Sequence, residues 1–130
     1  MPTLLNERKV EEIERRAKTE SIKTIAHYLQ GNLGQKLTAY LAGLKDPKVV
    51  GLWAQGKAVP RDLAAHRIRC AYEIALMLID AYGAETAKSW FFGTNTRLDD
   101  EAPAYLLRHV KLPGDTRFIV PAARAFVLAA

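Results

Sequence analysis

The residues best suited to bind a charged ligand surround one short segment, residues 46–55, with the sequence DPKVVGLWAQ. The cations at its edges are Lys45, Lys48, Lys57 and Arg61. Lysines and arginines grouped in this way are typical of proteins that hold the phosphates of nucleic acid. A solvated helix face is the plain alternative, and the grouping favours phosphate contact over it.

The charge distribution points to the same half of the chain. Residues 1–70 contain 13 Lys and Arg against 7 Asp and Glu, whereas residues 71–130 contain 6 against 7, within a total net charge of +5. Arg67 and Arg69 follow the segment closely, and we expect them to extend its phosphate-binding set. The first half is therefore predicted to meet a polyanion, and the second half to do something else.

Other reactive residue types form no site in the sequence. Asp99 and Asp100 are adjacent carboxylates, but at the start of a predicted helix we expect them to serve its N-terminus. The three histidines are too scattered for a metal site. The single Cys70 has apolar neighbours, which indicates an inert core thiol and a reducing compartment. We expect no enzyme, no cofactor and no metal, in a cytoplasmic protein without a membrane segment.

The elements that must position the cations are all predicted to be helices, because no stretch alternates as a strand does. The predicted segments are 7–18, 22–31 ended by Gly31, 34–42, 46–55, 61–81, 85–91, 101–109 and a last one with a start or kink at Pro121. In the first of them only Val10, Ile13 and Ala17 form an apolar stripe. So narrow a stripe predicts a solvated surface helix or one that pairs with a second copy of the chain.

The segment around the cations has clear boundaries. Gly43 is placed to end the helix before it, Asp46 to cap its start and Gly56 to end it. Val50 and Trp53 lie three residues apart and are predicted to pack inward. Two short helices with a glycine-containing turn are the pattern of a helix-turn-helix, whose second helix enters the DNA major groove.

At this point a family resemblance appears. The stretch LTAYLAGLKDPKVVGLWAQGKAVP resembles the phage-repressor (Xre) kind of helix-turn-helix, in which a Trp lies three residues before a Gly and a Pro follows; here these are Trp53, Gly56 and Pro60. The resemblance implies a set of residues that face DNA. They are Asp46, Pro47, Lys48, Gly51, Leu52 and Gln55. Because Gly51 and Leu52 stand where polar side chains are often found, hydrogen bonds to bases are expected from Lys48, Gln55 and Asp46, and a thymine-methyl contact from Leu52.

The second half carries a further resemblance. SWFFGTNTRLDDEAPAYLLR is similar to the C-terminal toxin-binding domain of Xre/MbcA/ParS-type antitoxins. The matching residues are Trp90, Asn95, Leu98, Pro103, Leu106 and Leu107. The resemblance implies a RES-domain toxin that consumes NAD as the partner, and an oligomer bound to its own operator. The predicted partner-binding residues are Trp90, Asn95, Arg97 and Leu98, although from residue type alone Trp90 is expected in the core and Asn95 as a turn cap.

The sequence thus predicts an all-α protein, with a phage-repressor-like helix-turn-helix domain and a small helical C-terminal domain. The predicted units are a charged helix at 1–19, a DNA-binding domain at 20–82 and a partner-binding domain at 83–130. The expected function is that of a DNA-binding antitoxin that neutralises a RES-domain toxin and represses its own operon as a homodimer or larger oligomer. The alternatives are a stand-alone regulator, including one of phage origin, whose second half only dimerises, and an antitoxin that has lost DNA binding.

Overall fold

The structure, a computed structural model, describes residues 5–128. The predicted N-terminal and C-terminal units extend beyond this range at residues 1–4 and 129–130, which lie outside the described residues. Within it the chain forms eight α-helices and no strand, as the sequence predicts. The helices are α1 (Glu7–Thr19), α2 (Ile22–Leu33), α3 (Gln35–Ala42), α4 (Lys48–Ala54), α5 (Asp62–Tyr82), α6 (Ala84–Phe92), α7 (Pro103–Arg108) and α8 (Ile119–Leu128). Two 3₁₀ helices, Thr96–Leu98 and Pro113–Phe118, precede α7 and α8.

The long helix α5 forms the centre of the molecule. Ile68, Ile74 and Leu78 on one side of it are fully buried, and so are side chains on its other sides such as Tyr72 and Met77. A helix that is apolar almost all round must be covered on every side. Accordingly α1, α2, α3, α6, α7 and α8 all pack against it. No helix in the described part of the chain is long and apolar enough to cross a membrane.

The position of α1 differs from the expectation. Val10, Ile13 and Ala17 are buried in the core of the same chain, where α1 packs on α5. The stripe is therefore neither solvated nor free to pair with a second copy. A narrow stripe on α1 is sufficient because most of the apolar surface in this contact belongs to α5.

The end of α2 also differs from the expectation. Gly31 lies inside the helix, which continues to Leu33 and ends at Gly34, with a φ of +89°. Leu29 and Leu33 are four residues apart and both buried, so one more turn adds apolar burial. That burial outweighs the cost of about 1 kcal/mol for a glycine within a helix.

The connection from α3 to α4 is formed as predicted. Gly43 ends α3 in the left-handed conformation, with a φ of +80°. The Asp46 carboxylate accepts a hydrogen bond from the backbone N–H of Lys48 at 3.0 Å, and Gly56, with a φ of +73°, follows the end of α4. These local bonds fix where α4 starts and stops.

In the C-terminal half, two expectations about helix starts have different outcomes. Asp99 and Asp100 do not cap α7, which begins at Pro103 after Ala102 and has no side-chain cap. Both aspartates instead have positive φ angles in the turn, where the Asp100 N–H donates to the Asn95 carbonyl at 2.9 Å. The expected start near Pro121 is present, since that proline lies in the first turn of α8, where its missing N–H is harmless.

Candidate nucleic-acid interface and partner surface

The inner side of α4 anchors it to the rest of the molecule. Val50 is fully buried and Trp53 is 3% exposed, both facing the predicted way, and α4 packs on α2 and α3. Burying a tryptophan on so short a helix gives it a fixed orientation, which its own backbone hydrogen bonds would not ensure. The opposite side of α4 is thereby held toward solvent.

The outer side of α4 and its flanks form what we call the cationic face. Its exposed members are Lys45, Asp46, Lys48, Leu52, Gln55, Lys57 and Arg61. Within residues 5–128 none of its lysine or arginine side chains makes an ion pair or an internal hydrogen bond. These four cations are thus available to an external anion. Of the nine residues predicted to contact DNA at α4 and its flanks, seven are exposed, Pro47 is half-buried and Gly51 is buried.

Gly51 is the buried member of this set. The expectation that it faces outward is wrong, because it is buried beneath the side chains of α2 and α3. A Cβ at Gly51 would lie 2.9 Å from Nε2 of Gln35, which itself donates to Oε1 of Gln30 at 2.9 Å. The space that a side chain at Gly51 would fill is therefore occupied by the amide groups of Gln35 and Gln30. The sequence pattern gives no sign of this contact, because it joins three different helices.

Lys23 is a further cation that the sequence analysis missed. It is exposed near the start of α2, and its aliphatic chain passes Gly56, where a Cβ would come within 3.4 Å of Lys23 Cδ. It therefore lies beside the cationic face although it is far from α4 in sequence. Only the packing of α2 on α4 brings it there, and no local pattern signals that packing.

Arg67 and Arg69 do not belong to the cationic face, because both side chains bind carbonyls of the same chain instead of extending the phosphate-binding set as expected. Nη1 of Arg69 donates to the carbonyls of Ala17 at 3.0 Å and of Glu20 at 2.9 Å, at the end of α1. Nη1 of Arg67 donates to the carbonyl of Ala42 at 3.3 Å, at the end of α3. Both guanidinium groups thus bind unpaired helix-end carbonyls, which attract cations.

The four predicted partner-binding residues lie around one turn but differ in exposure. Trp90 is 9% exposed and packs edge-on against Phe91, and Leu98 is also buried. The Asn95 side chain accepts the N–H of Arg97 at 3.0 Å and so caps the turn, as residue type alone predicted. Of the four, only Arg97 is exposed, so it is the one most accessible to a partner at this turn.

A groove next to this turn, which we call the C-terminal groove, includes residues beyond the four that were predicted. It has a volume of about 610 Å³ and lies between the first 3₁₀ helix, α7 and the start of α8. Its walls are mainly apolar and its rim carries carboxylates. The lining residues are Arg97, Leu98, Asp99, Glu101, Leu106, His109, Val110, Asp115, Phe118 and Ile119. Arg97 and Leu98 are thus brought into it, whereas Trp90 and Asn95 lie with Arg97 around a separate pocket of about 230 Å³.

Phe118 is the residue of the groove that the sequence analysis passed over. Its side chain is 62% exposed, and Leu112 and Tyr105 nearby in the chain are also exposed. Exposed aromatic side chains beside a concave apolar surface are typical of protein-binding sites. The signal was an unexplained phenylalanine after the LPGD turn, which the predicted helices left without a packing role.

Two groups capable of thiol or acid–base chemistry, Cys70 and Glu73, lie one turn apart on α5 and are enclosed to different degrees. Burial, and then the neighbouring Glu73 carboxylate, raise the pKa of the Cys70 thiol. Burial, and then Glu14, raise the pKa of Glu73, and Arg124 opposes this shift from 3.8 Å away. Across the described residues, no three His, Cys, Asp or Glu side chains come together as metal ligands do.

Comparison with models of protein families, with curated proteins and with solved structures finds no match to this chain. The likeness to Xre/MbcA/ParS-type antitoxins accordingly stays a prediction from the quoted motifs.

Proposed function

We propose that this protein is a DNA-binding antitoxin, which reads its own operator through α4 and binds a RES-domain toxin through its C-terminal half. The observation that supports DNA binding most directly is the two-sidedness of α4. One side is anchored by Val50 and Trp53, and the other presents Lys48 and Gln55 to solvent between further unpaired cations. A rigid, exposed, cation-flanked helix meets the requirements of a helix that enters the major groove.

Leu52 is part of this argument. It is 42% exposed at the middle of the outer side of α4, where an apolar side chain gains nothing from water. Contact with a thymine methyl group would remove it from water and would read the base at the same time.

Affinity for the DNA upstream of its own gene tests the first part of the proposal. Replacing both Lys48 and Gln55 with alanine should weaken specific binding by about 1–3 kcal/mol for each lost base contact. Lys111→Ala, at an exposed lysine of the C-terminal half, serves as the control and should leave the affinity unchanged. Equal operator binding by the double variant and the wild type would contradict the role assigned to α4.

Co-expression tests the second part. A RES-domain toxin encoded beside this protein should arrest growth alone, and this protein should relieve the arrest. Persistent arrest, with both proteins present in soluble form, would remove the antitoxin function and leave the DNA-binding function standing.

The exposed apolar residues at the C-terminal groove also fit a second copy of the chain, as the stand-alone regulator requires. The mass of the purified protein with and without the toxin separates these functions. A self-association that persists when the toxin is added, without a joint complex, favours the regulator.

A further inference from the structure

The last carbonyls of α3 lie at the turn that leads into α4. Backbone N–H groups satisfy two of them, since Leu44 donates to Ala39 at 2.9 Å and Gly43 donates to Tyr40 at 3.1 Å. Helix ends leave four carbonyls without partners inside the helix. Backbone N–H groups of the turn therefore satisfy only some of the carbonyls at the end of α3.

Arg108 at the end of α7 adds two hydrogen bonds, one to a carbonyl of α3 and one to a carbonyl of the turn. Its Nη1 donates to the carbonyls of Tyr40 at 2.9 Å and Leu44 at 3.2 Å, on either side of the glycine that ends α3. Its guanidinium also lies over the Tyr40 ring, 4.7 Å from the centroid. One planar group thus binds two successive parts of the turn and an aromatic face, an arrangement that the flexible ammonium of lysine does not reproduce.

Arg67 on α5 binds a third carbonyl at this end of α3, that of Ala42. It also donates to the carbonyl of Val110, just beyond α7. A Cβ at Gly43 would collide with its guanidinium, so the glycine is required both for its positive φ and for this approach. In the described chain neither Arg67 nor Arg108 has a carboxylate partner, and burial followed by the charge of Arg108 lowers the pKa of Arg67.

We propose that Arg67 and Arg108, the arginine pair, are positioning residues for DNA recognition. By holding the end of α3 they fix the start of the turn 43–47, and hence the angle at which α4 presents Lys48 and Gln55. This inference rests on the proposed DNA-binding function and adds to it that a side chain of the C-terminal half sets the geometry of the DNA-reading half.

The test compares Arg108→Lys and Arg67→Lys with Arg69→Lys in the full-length protein. Arg69 is the matched control because it lies on the same helix as Arg67 and also binds helix-end carbonyls, but at the end of α1. Each variant keeps its charge, so the net attraction to DNA is unchanged. All are compared at a temperature at which circular dichroism shows each of them fully folded.

The first measurement is affinity for the duplex upstream of the gene and for a random duplex of equal length. Arg108→Lys and Arg67→Lys should each weaken binding to the upstream duplex about tenfold, the cost of one base contact. Affinity for the random duplex and the slope of affinity against salt should stay the same, because the phosphate contacts are retained. Arg69→Lys should match the wild type on both duplexes.

The second measurement needs no DNA. Hydrogen exchange of the backbone amides of residues 44–55 should become about tenfold faster in Arg108→Lys and Arg67→Lys, because bonds to a charged donor hold the turn closed. In Arg69→Lys the faster exchange should instead fall in residues 16–22. Unchanged exchange at 44–55 in both variants of the pair would overturn the positioning role.

The two measurements separate the two proposals. If the wild type binds the upstream duplex no better than the random one, the proposed DNA-reading function fails, whatever the exchange shows. If the wild type discriminates but the pair variants discriminate equally well, the positioning role fails and DNA binding stands. Loss of affinity for both duplexes in parallel, with a changed salt slope, would also overturn it by showing that the arginine pair contributes to phosphate binding.

Discussion

The cationic face and the C-terminal groove differ in the force each offers a partner. The cationic face consists of exposed side chains around one short helix, and within the described residues none of its lysines or its arginine has an ion-pair partner. The C-terminal groove has apolar walls and an exposed phenylalanine, with carboxylates at the rim. Binding at the first should fall steeply with salt, whereas binding at the second depends on the burial of apolar surface and should respond little. Substitutions can therefore separate the two regions, although both rest on one hydrophobic core.

The largest effect is expected on stability, from a substitution in the core that both regions share. Trp53→Ala should lower the free energy of unfolding by about 3–5 kcal/mol, because it leaves a cavity under α4. The neighbouring Leu52→Ala is the control and should cost much less, about 1 kcal/mol, since 42% of this residue is already exposed. Urea unfolding measures both. A Trp53 variant as stable as the Leu52 variant would contradict the inward orientation of the tryptophan.

Neutralising the cationic face should affect DNA binding alone. With Lys45, Lys48, Lys57 and Arg61 all changed to glutamine, the slope of log affinity against log salt should fall by about 3 to 4, at roughly 0.9 for each phosphate contact. The control removes the same charge at exposed sites elsewhere. It carries glutamine at Arg8, Arg15, Lys18 and Lys111. If the slope falls equally in both variants, the cationic face contributes no more to DNA binding than any four exposed cations do. It would then not be a specific binding surface that can be contrasted with the groove.

Truncating the exposed phenylalanine should affect partner binding alone. If the groove binds the proposed RES-domain toxin, Phe118→Ala should weaken that complex by about 2 kcal/mol, as expected of an exposed aromatic residue that becomes buried in an interface. Its effect on stability should be small because the ring is already 62% exposed. Phe92→Ala, at an exposed phenylalanine outside the groove, is the control. Titration calorimetry of both variants would show whether the groove or another surface carries the toxin.

The smallest effect concerns the glycine inside α4. Gly51→Ala should gain up to about 1 kcal/mol of helix propensity, reduced by the cost of displacing the Gln35 amide that lies over it. Gly31→Ala in α2 gains the same propensity with nothing within 4 Å of the new Cβ, and it should stabilise the protein more. The difference between their urea midpoints measures how firmly the two glutamines cover α4.

The sequence predicts best what local bonds and periodicity decide. Gly43 ends α3 because few other residues adopt its φ, and Trp53 is buried because it shares a side of α4 with Val50. Asn95 caps its turn through a bond to a residue two positions away. Each of these contacts depends on neighbours in the chain, so the pattern contains the information.

Contacts between distant segments decide the rest. Arg67 and Lys48 look alike in sequence, yet one is used at a helix end and the other is free, because only the packing of α3 on α5 brings the Ala42 carbonyl within reach of Arg67. The groove likewise joins Leu98 to Phe118 across two turns. Gly31 was mistaken for a helix end because the burial of Leu33 depends on partners that the local pattern does not show.

The arginines bound to helix-end carbonyls have a consequence that reaches beyond packing. A carbonyl oxygen accepts a hydrogen bond but does not cancel a formal charge, so Arg67, Arg69 and Arg108 remain full positive charges. Two of them, Arg67 and Arg108, lie beside the turn into α4, so their charges add to the positive field on this side of the molecule. Under the proposed DNA-binding function, this field should draw DNA toward the cationic face and speed the first encounter, even without direct phosphate contact.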